Sequence, residues 1–124
     1  MANAPTDITV EIARIFALQQ ANQWNVKATD AVARKAKLAK LKAAVEAHAD
    51  AIVAAVLEDT RKPDGEIRVT EVMNIVGNIQ LNIDNLDAWM TPTEITPTRN
   101  PDDRAQIIYE ARGVCLILGP WNFP

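Results

Sequence analysis

A run of five apolar residues, 114–118, constrains the fold of this chain more than any other stretch of its sequence. Such a run is typical of a strand that is buried on both faces of a sheet. Gly119 and Pro120 end the run, and a loop that carries Trp121 and Asn122 follows. In α/β enzymes a buried strand delivers polar residues to the functional site at its carboxyl end. The sequence therefore predicts that the upstream segments form a scaffold for this strand and loop.

Three helices are predicted upstream, because apolar residues recur there at intervals of three and four. They cover residues 7–23, 29–61 and 65–90. Each begins at a side chain that can accept a hydrogen bond from its first turn: Thr6 or Asp7, Thr29 or Asp30, and Asp64. Asn22 and Asn25 are expected to end the first helix, and Pro63 ends the second. The short turn after Pro63 predicts that the second and third helices pack antiparallel as a hairpin.

Two side chains of these helices are candidates for function. His48 lies on the apolar stripe of the second helix, where a core or boundary histidine is expected, because no cysteine or carboxylate partner stands beside it. Trp89 lies one position off the stripe of the third helix, and packing at the helix end is favoured over stacking on a ligand. Since His48 is the one histidine of the chain, the sequence predicts no metal site and gives little support to a Ser-His-Asp arrangement.

The pattern changes at residues 91–98, where two prolines and four threonines exclude a helix. Residues 100–103, Asn-Pro-Asp-Asp, signal a turn, and residues 105–110 are typical of a strand. Residues 94–110 are therefore predicted to form a β-hairpin or arm. The predicted fold class is mostly α in this chain, with three helices followed by a β-arm and one strand. A solitary final strand has two open edges, so we expect the chain to continue in its parent or to pair with another molecule.

Charge and composition exclude several classes of protein. The net charge of -3 argues against a nucleic-acid partner. A basic cluster at residues 34–42 is interpreted as a solvated helix face, and a nucleic-acid-binding helical domain is the alternative interpretation. The first five residues lack the features of a secretory signal, and no apolar run approaches the length of a membrane span. The single cysteine fits a reducing compartment. The sequence therefore predicts a cytoplasmic protein.

Two residues near the carboxyl end carry candidate chemistry. Cys115 lies inside the predicted apolar strand without an evident cation beside it, so a buried and inert thiol is expected rather than a nucleophile. Asn122 follows the strand, where its side-chain amide could donate a hydrogen bond to a developing oxyanion. An asparagine at such a position is, by itself, more often a turn residue. The residues alone do not decide between an oxyanion donor and a turn residue at Asn122.

At this point the chain resembles a known family, the NAD(P)-dependent aldehyde dehydrogenases. The strand-and-loop signature of that family is matched by the segments 110–114, Glu-Ala-Arg-Gly-Val, and 116–124, Leu-Ile-Leu-Gly-Pro-Trp-Asn-Phe-Pro. Upstream segments of the chain resemble the class 3-like branch of the family, which acts on fatty and coniferyl aldehydes. These segments are Glu71-Val72 with Ile75 and Ile79, Leu86–Met90, and Thr96-Pro97. One departure is Ala111-Arg112, which stands where the family usually has Pro-Leu.

The resemblance implies a role for each matching residue. Asn122 matches the asparagine whose side-chain amide helps to form the oxyanion hole. Four residues match the segment that lines the nicotinamide side of the cofactor pocket: Leu118, Gly119, Pro120 and Trp121. The resemblance also implies that the chain has three parts. These are an N-terminal helical segment (1–92), a β-arm of the bridging, oligomerisation type (93–112), and the first strand and loop of an incomplete cofactor-binding domain (113–124).

The resemblance also implies an incomplete enzyme. In that family the catalytic cysteine, the general-base glutamate, the lysine near the adenosine ribose and the Gly-rich cofactor turn all lie downstream, and Cys115 does not match the nucleophile. The leading hypothesis is therefore the N-terminal portion of an enzyme that oxidises an aldehyde to a carboxylic acid, with NAD or NADP as cofactor. The isolated chain is expected to be inactive and to bind neither cofactor tightly. The alternative is a non-catalytic helical assembly module from a truncated gene product, and a homo-oligomer is expected.

Overall fold

The computed structural model describes residues 7–97, 99–100 and 102–124. Thr6, which was a possible helix cap, and Pro101, which belongs to the predicted turn, lie outside these residues. The chain divides into two compact units. The N-terminal unit comprises Met1–Thr29 with Glu110–Ile117, and the hairpin unit comprises Asp30–Tyr109 with Leu118–Pro124.

The N-terminal unit is built on helix α1, Ile8–Lys27. Asp7 caps it as predicted, because its Oδ1 accepts a hydrogen bond from the amide nitrogen of Thr9 at 2.9 Å. The helix extends four residues beyond the predicted end at residue 23. Asn22 and Asn25 do not stop it, since their side chains hydrogen-bond to each other at 3.1 Å, one turn apart on the helix surface.

Residues 110–117 complete the N-terminal unit without forming a strand. Glu110 pairs with Lys27 of α1, the Oε2 to Nζ distance being 3.1 Å. Gly113 has a φ of 115°, and a Cβ atom at this position would lie 2.9 Å from the Oε1 of Gln23. The backbone conformation therefore favours a glycine here, whereas the flexible end of the Gln23 side chain could shift to make room for a Cβ atom.

The hairpin unit begins with two helices where the sequence predicted one. Helix α2 covers Ala31–Ala47 and helix α3 covers Ala49–Thr60, so the predicted helix 29–61 is interrupted at His48. His48 has a φ of -108° and a ψ of 13°, and its Nδ1 lies 2.8 Å from the carbonyl oxygen of Ala44. The imidazole thus contacts a backbone acceptor at the end of α2. His48 is exposed, so its predicted place in the core or at the core boundary is wrong.

The chain returns through three helical segments instead of the single predicted helix 65–90. Helix α4 covers Asp64–Ile67, a π-helical turn covers Arg68–Met73, and helix α5 covers Asn74–Met90. In the π-helical turn the amide of Asn74 donates to the carbonyl of Val69, five residues earlier. Asp64 does not cap α4, because the helix begins at Asp64 itself and Pro63 stands at the N-cap position; the Oδ1 of Asp64 instead accepts a hydrogen bond from the Nε of Arg68 at 2.8 Å.

The predicted antiparallel packing is confirmed by two contacts between α2 and α5. Lys35 forms an ion pair with Asp87, and the Nζ of Lys42 donates to the Oε1 of Gln80 at 2.9 Å. The later residue of α2 thus contacts the earlier residue of α5, as is expected for two antiparallel helices. The apolar core lies at the closed end of the hairpin, where α3, α4 and the π-helical turn meet. Its buried members are Val53, Val56, Ile67 and Val72.

The arm contains a two-stranded antiparallel sheet, β1 (Thr93–Ile95) and β2 (Ala105–Ile107). Glu94 is paired with Gln106 at its centre. The hairpin predicted for residues 94–110 is thus present, with short strands whose residues are all exposed.

The predicted buried strand 114–118 is not formed, and its residues are exposed. A strand is stabilised by hydrogen bonds to a neighbouring strand, and the described part of the chain places none beside this segment. Cys115 is consequently exposed, which corrects the expectation of a buried thiol. Among the residues described, no helix is both long enough and apolar enough to cross a bilayer.

Candidate functional site

The predicted site residues lie together on the loop Leu118–Pro124 of the hairpin unit. A turn is centred on Trp121 and Asn122, and both side chains are exposed. Leu118 is also exposed, with 83% of its surface accessible. The loop therefore presents an amide side chain next to exposed apolar groups.

One side chain, that of Lys62, holds this loop. Its Nζ donates a hydrogen bond to the main-chain oxygen of Asn122 at 2.7 Å. The same Nζ lies 4.1 Å from the ring centroid of Phe123, within the range of a cation–π interaction. The contact with Asn122 uses its backbone carbonyl, so the side-chain amide is not engaged in holding the loop.

The backbone of Lys62 is positioned by the end of α3. Arg61 adopts a left-handed conformation with a φ of 56°, which ends the helix, and its amide donates to the carbonyl of Leu57. The hydroxyl of Thr60 donates to the carbonyl of Val56 at 2.7 Å and accepts from the amide of Lys62 at 3.3 Å. Pro63 then stands at the N-cap position of α4, with its φ restricted by the proline ring. Lys62 therefore extends from a short connection that is held on both sides.

Glu71, on the π-helical turn, is the acidic partner of Lys62. It is 4% exposed, and its Oε1 lies 3.4 Å from the Nζ of Lys62. The hydroxyl of Thr70 shares its single proton between the carbonyl oxygen of Glu66 at 3.0 Å and the same Oε1 at 3.2 Å. A buried carboxylate is costly unless a counter-charge and hydrogen bonds compensate for the lost hydration. The Lys62 ammonium and the Thr70 hydroxyl supply both kinds of compensation.

Sequence reasoning did not single out Lys62 and missed the role of Glu71. A signal for Glu71 was present: it stands four residues after Ile67 and four before Ile75, so a carboxylate occupies an apolar row of a helix. A charge in such a row calls for a buried partner. The partnership of Lys62 with Asn122 has no local signal, because 60 positions separate them in the sequence.

Comparison with known proteins identifies the family. The model of the Aldehyde dehydrogenase family matches residues 2–124, almost the whole chain. The chain belongs to the aldehyde dehydrogenase family. A putative aldehyde dehydrogenase, AldX of Bacillus subtilis (strain 168), is 39% identical over 114 residues, which are 92% of this chain and 26% of AldX. The aldehyde dehydrogenase family 3 member H1 of Arabidopsis thaliana is 35% identical over 92 residues, which are 73% of this chain and 19% of that protein.

These identities and coverages confirm the resemblance to the aldehyde dehydrogenases and show how much of a relative the chain matches. The chain spans about a quarter or less of the length of these two relatives. The N-succinylglutamate 5-semialdehyde dehydrogenase of Photorhabdus laumondii is 36% identical over 67 residues, 54% of this chain and 13% of that enzyme. The matched part is the N-terminal part of the aldehyde dehydrogenase domain. The fold class predicted from the sequence, a mostly helical N-terminal portion of this domain, is thereby confirmed.

Cys115, the other candidate for chemistry, belongs to the N-terminal unit of this aldehyde dehydrogenase segment. Its Sγ lies 3.7 Å from the carbonyl oxygen of Gly113. It lines an apolar groove of about 840 Å³ between α1 and residues 111–116. Within the described ranges, no group of three or more histidine, cysteine and acidic side chains could hold a metal ion.

Aldehyde dehydrogenases generally use NAD(P), and a dinucleotide cofactor places definite demands on the residues around it. The segment 118–121 offers exposed apolar side chains, those of Leu118 and Trp121 among them. A dinucleotide also needs a Gly-rich turn at a helix N-terminus and a carboxylate for the ribose. The described helices do not begin in such a turn. The described residues therefore do not form a complete cofactor site.

Proposed function

We propose that this chain is the N-terminal portion of an NAD(P)-dependent aldehyde dehydrogenase that oxidises an aldehyde to a carboxylic acid. In this proposal Asn122 donates its side-chain amide to the substrate oxygen. The observation that supports this role is the contact of Lys62 with the main-chain oxygen of Asn122 at 2.7 Å. Because the backbone of Asn122 holds the loop, its exposed side chain is left to bind a ligand.

The chemistry of aldehyde oxidation explains the need for such an amide. When a thiolate adds to the carbonyl carbon, the carbonyl oxygen acquires negative charge, and a positioned N–H donor stabilises it. Removing one donor of this kind lowers the turnover number by about 10²–10³-fold. NAD or NADP, when bound, would supply the hydride acceptor for the oxidation. Leu118–Trp121 would contact its nicotinamide side.

The short chain by itself is proposed to be inactive. Its single cysteine, Cys115, does not match the nucleophile that the family resemblance implies. We therefore assign the nucleophile and the general base to parts of the enzyme beyond these residues. Reduction of NAD(P)+ by the purified short chain in the presence of an aldehyde would contradict this assignment.

Assembly is the second candidate function, and the sheet of the arm favours it. The sheet has two strands in the described part of the chain, so each strand has one unpaired edge. Pairing with the same edge of a second copy would satisfy these backbone groups. We propose a homo-oligomer on this basis. We also propose a cytoplasmic location, which the single cysteine of the chain favours. Light scattering on the chain, over a range of concentrations, should show a defined oligomer, and a monomer throughout would contradict the proposal.

The first experiment is to measure the mass of the native protein in its source cells, detected with an antibody to residues 30–90. A mass several times 13.6 kDa supports the dehydrogenase. Asn122→Ala should then lower its turnover number, while Asn82→Ala, on the exposed surface of α5, should leave it unchanged. A mass of 13.6 kDa would favour the assembly module instead.

A further inference from the structure

The ion pair between Lys62 and Glu71 has no role in the chemistry proposed above, yet the fold buries it. Glu71 is the buried charged residue of the described chain, at 4% exposure. Replacing a buried ion pair by apolar residues is often neutral or stabilising, so burial of this pair is weak evidence for a stabilising role. A different role is indicated by what Lys62 contacts besides Glu71.

We propose that Lys62, oriented by Glu71, positions the loop that carries Asn122, so that the amide side chain is presented to the substrate oxygen. This inference rests on the proposed function of Asn122. Lys62 and Glu71 are positioning residues, because in the proposal neither of them touches the substrate.

Three contacts of one ammonium group support this role. The Nζ of Lys62 lies 2.7 Å from the main-chain oxygen of Asn122, 3.4 Å from the Oε1 of Glu71 and 4.1 Å from the ring centroid of Phe123. An ammonium has three protons and no acceptor, so it can donate to both oxygens at once. Lys62 therefore holds the loop at Asn122 and at the next residue, on both sides of the peptide bond that joins them.

Glu71 limits where the ammonium can lie. The carboxylate is fixed chiefly by burial, and the hydroxyl of Thr70 lies 3.2 Å from it while also donating to the carbonyl oxygen of Glu66 at 3.0 Å. Lys62 has a flexible four-carbon stem, and a fixed counter-charge reduces the number of positions that its Nζ can occupy. The loop is thus linked to the helical core through a hydrogen bond and an ion pair.

The anchoring step can be tested on the chain itself by NMR. We expect Lys62→Met to lower the heteronuclear NOE of the amides of residues 121–123, while the amide of the buried Ile79 keeps its chemical shift. Lys62→Arg should restore the NOE, because a guanidinium can also donate to a carbonyl and stack on a ring. The matched control is Lys37→Met, a substitution of an exposed lysine on α2. Unchanged NOE values at 121–123 in folded Lys62→Met would overturn the proposal.

A second variant keeps the test decisive if Lys62→Met fails to fold. Glu71→Gln retains the shape of the side chain and an oxygen acceptor but removes the counter-charge. We expect it to lower the NOE of residues 121–123 by less than Lys62→Met does. Values equal to those of the unaltered chain would count against a role for Glu71.

The catalytic consequence is tested in the full-length dehydrogenase that contains this segment. Lys62→Met should lower the turnover number at least 10-fold, with the KM for the cofactor unchanged. The double variant Lys62→Met/Asn122→Ala should be no slower than Asn122→Ala alone, because both act through the same amide. Independent, multiplicative losses would overturn the positioning role and leave the role of Asn122 intact. A neutral Asn122→Ala would instead overturn the proposed function and, with it, this inference.

Discussion

The carboxylate of Asp30 accepts a hydrogen bond from the amide nitrogen of Ala33 at 2.8 Å. This contact closes the first turn of α2, the helix that packs antiparallel against α5. The first amides of a helix have no intrahelical acceptor, so a side chain that accepts from one of them stabilises the helix. Of the two caps that the sequence left open, Thr29 and Asp30, the structure uses Asp30.

Asp30→Ala is therefore expected to lower the free energy of unfolding by about 1 kcal/mol. Asp30→Asn should have little effect, because the amide oxygen accepts the same hydrogen bond without the charge. Urea denaturation followed by circular dichroism at 222 nm measures both variants. Equal losses for the alanine and asparagine variants would show that the negative charge, rather than the cap hydrogen bond, stabilises this end of α2.

Ile67→Ala is expected to lower the free energy of unfolding by about 2–5 kcal/mol, the range for loss of a buried aliphatic side chain. Ile67 is completely buried and belongs to the core cluster with Val53, Val56 and Val72. Ile75→Ala is the matched control, because it removes the same atoms from a side chain that is 43% exposed. Ile75→Ala should lower the free energy of unfolding by at least about 1 kcal/mol less than Ile67→Ala does. Equal losses for the two variants would contradict the location of the core.

Periodicity predicted the helical part of the fold correctly in outline, because one face of each helix in the hairpin unit packs against a neighbour. The antiparallel hairpin follows from the short turn at Pro63. The interruption at His48 and the π-helical turn at Arg68–Met73 were not predictable in this way. Both depend on individual hydrogen bonds that replace the regular helical pattern, and apolar spacing carries no information about them.

The candidate site was predictable only in part. The loop and its exposed Asn122 follow from the apolar run and the Gly-Pro that ends it. The exposure of residues 114–118 was not predicted, because the sequence pattern indicates what a strand would bury and not whether a partner strand is present. Lys62 was missed because its contacts with Asn122 and Phe123 join distant parts of the chain. Long-range contacts of this kind leave no periodic signal.

Arg61→Gly is expected to be more stable than Arg61→Ala by about 1 kcal/mol. Arg61 is the one non-glycine residue with a positive φ in the described chain, at 56°, and it forms the C-cap of α3. Glycine adopts this conformation without the steric cost of a Cβ atom, whereas alanine retains that cost. Comparison of the two variants removes the effect of the arginine side chain. Thermal unfolding should give a higher midpoint for the glycine variant, and a lower midpoint would argue against the left-handed cap.

The pKa of Glu11 lies below its ordinary value of about 4.5, because the guanidinium of Arg14 donates two hydrogen bonds to its carboxylate. A lowered pKa in the folded state means that the pair stabilises α1 above pH 4.5 and that this stabilisation is lost as the pH falls through the lower folded pKa. Arg14→Gln should move the pKa of Glu11 back toward 4.5.

NMR titration of the Glu11 carboxyl carbon measures this shift, with Arg104→Gln as a control on the exposed arm. Because both partners are on the surface, raising the salt concentration should reduce the difference between Arg14→Gln and the unaltered chain. An identical titration of Glu11 in both proteins at low salt would contradict the pairing.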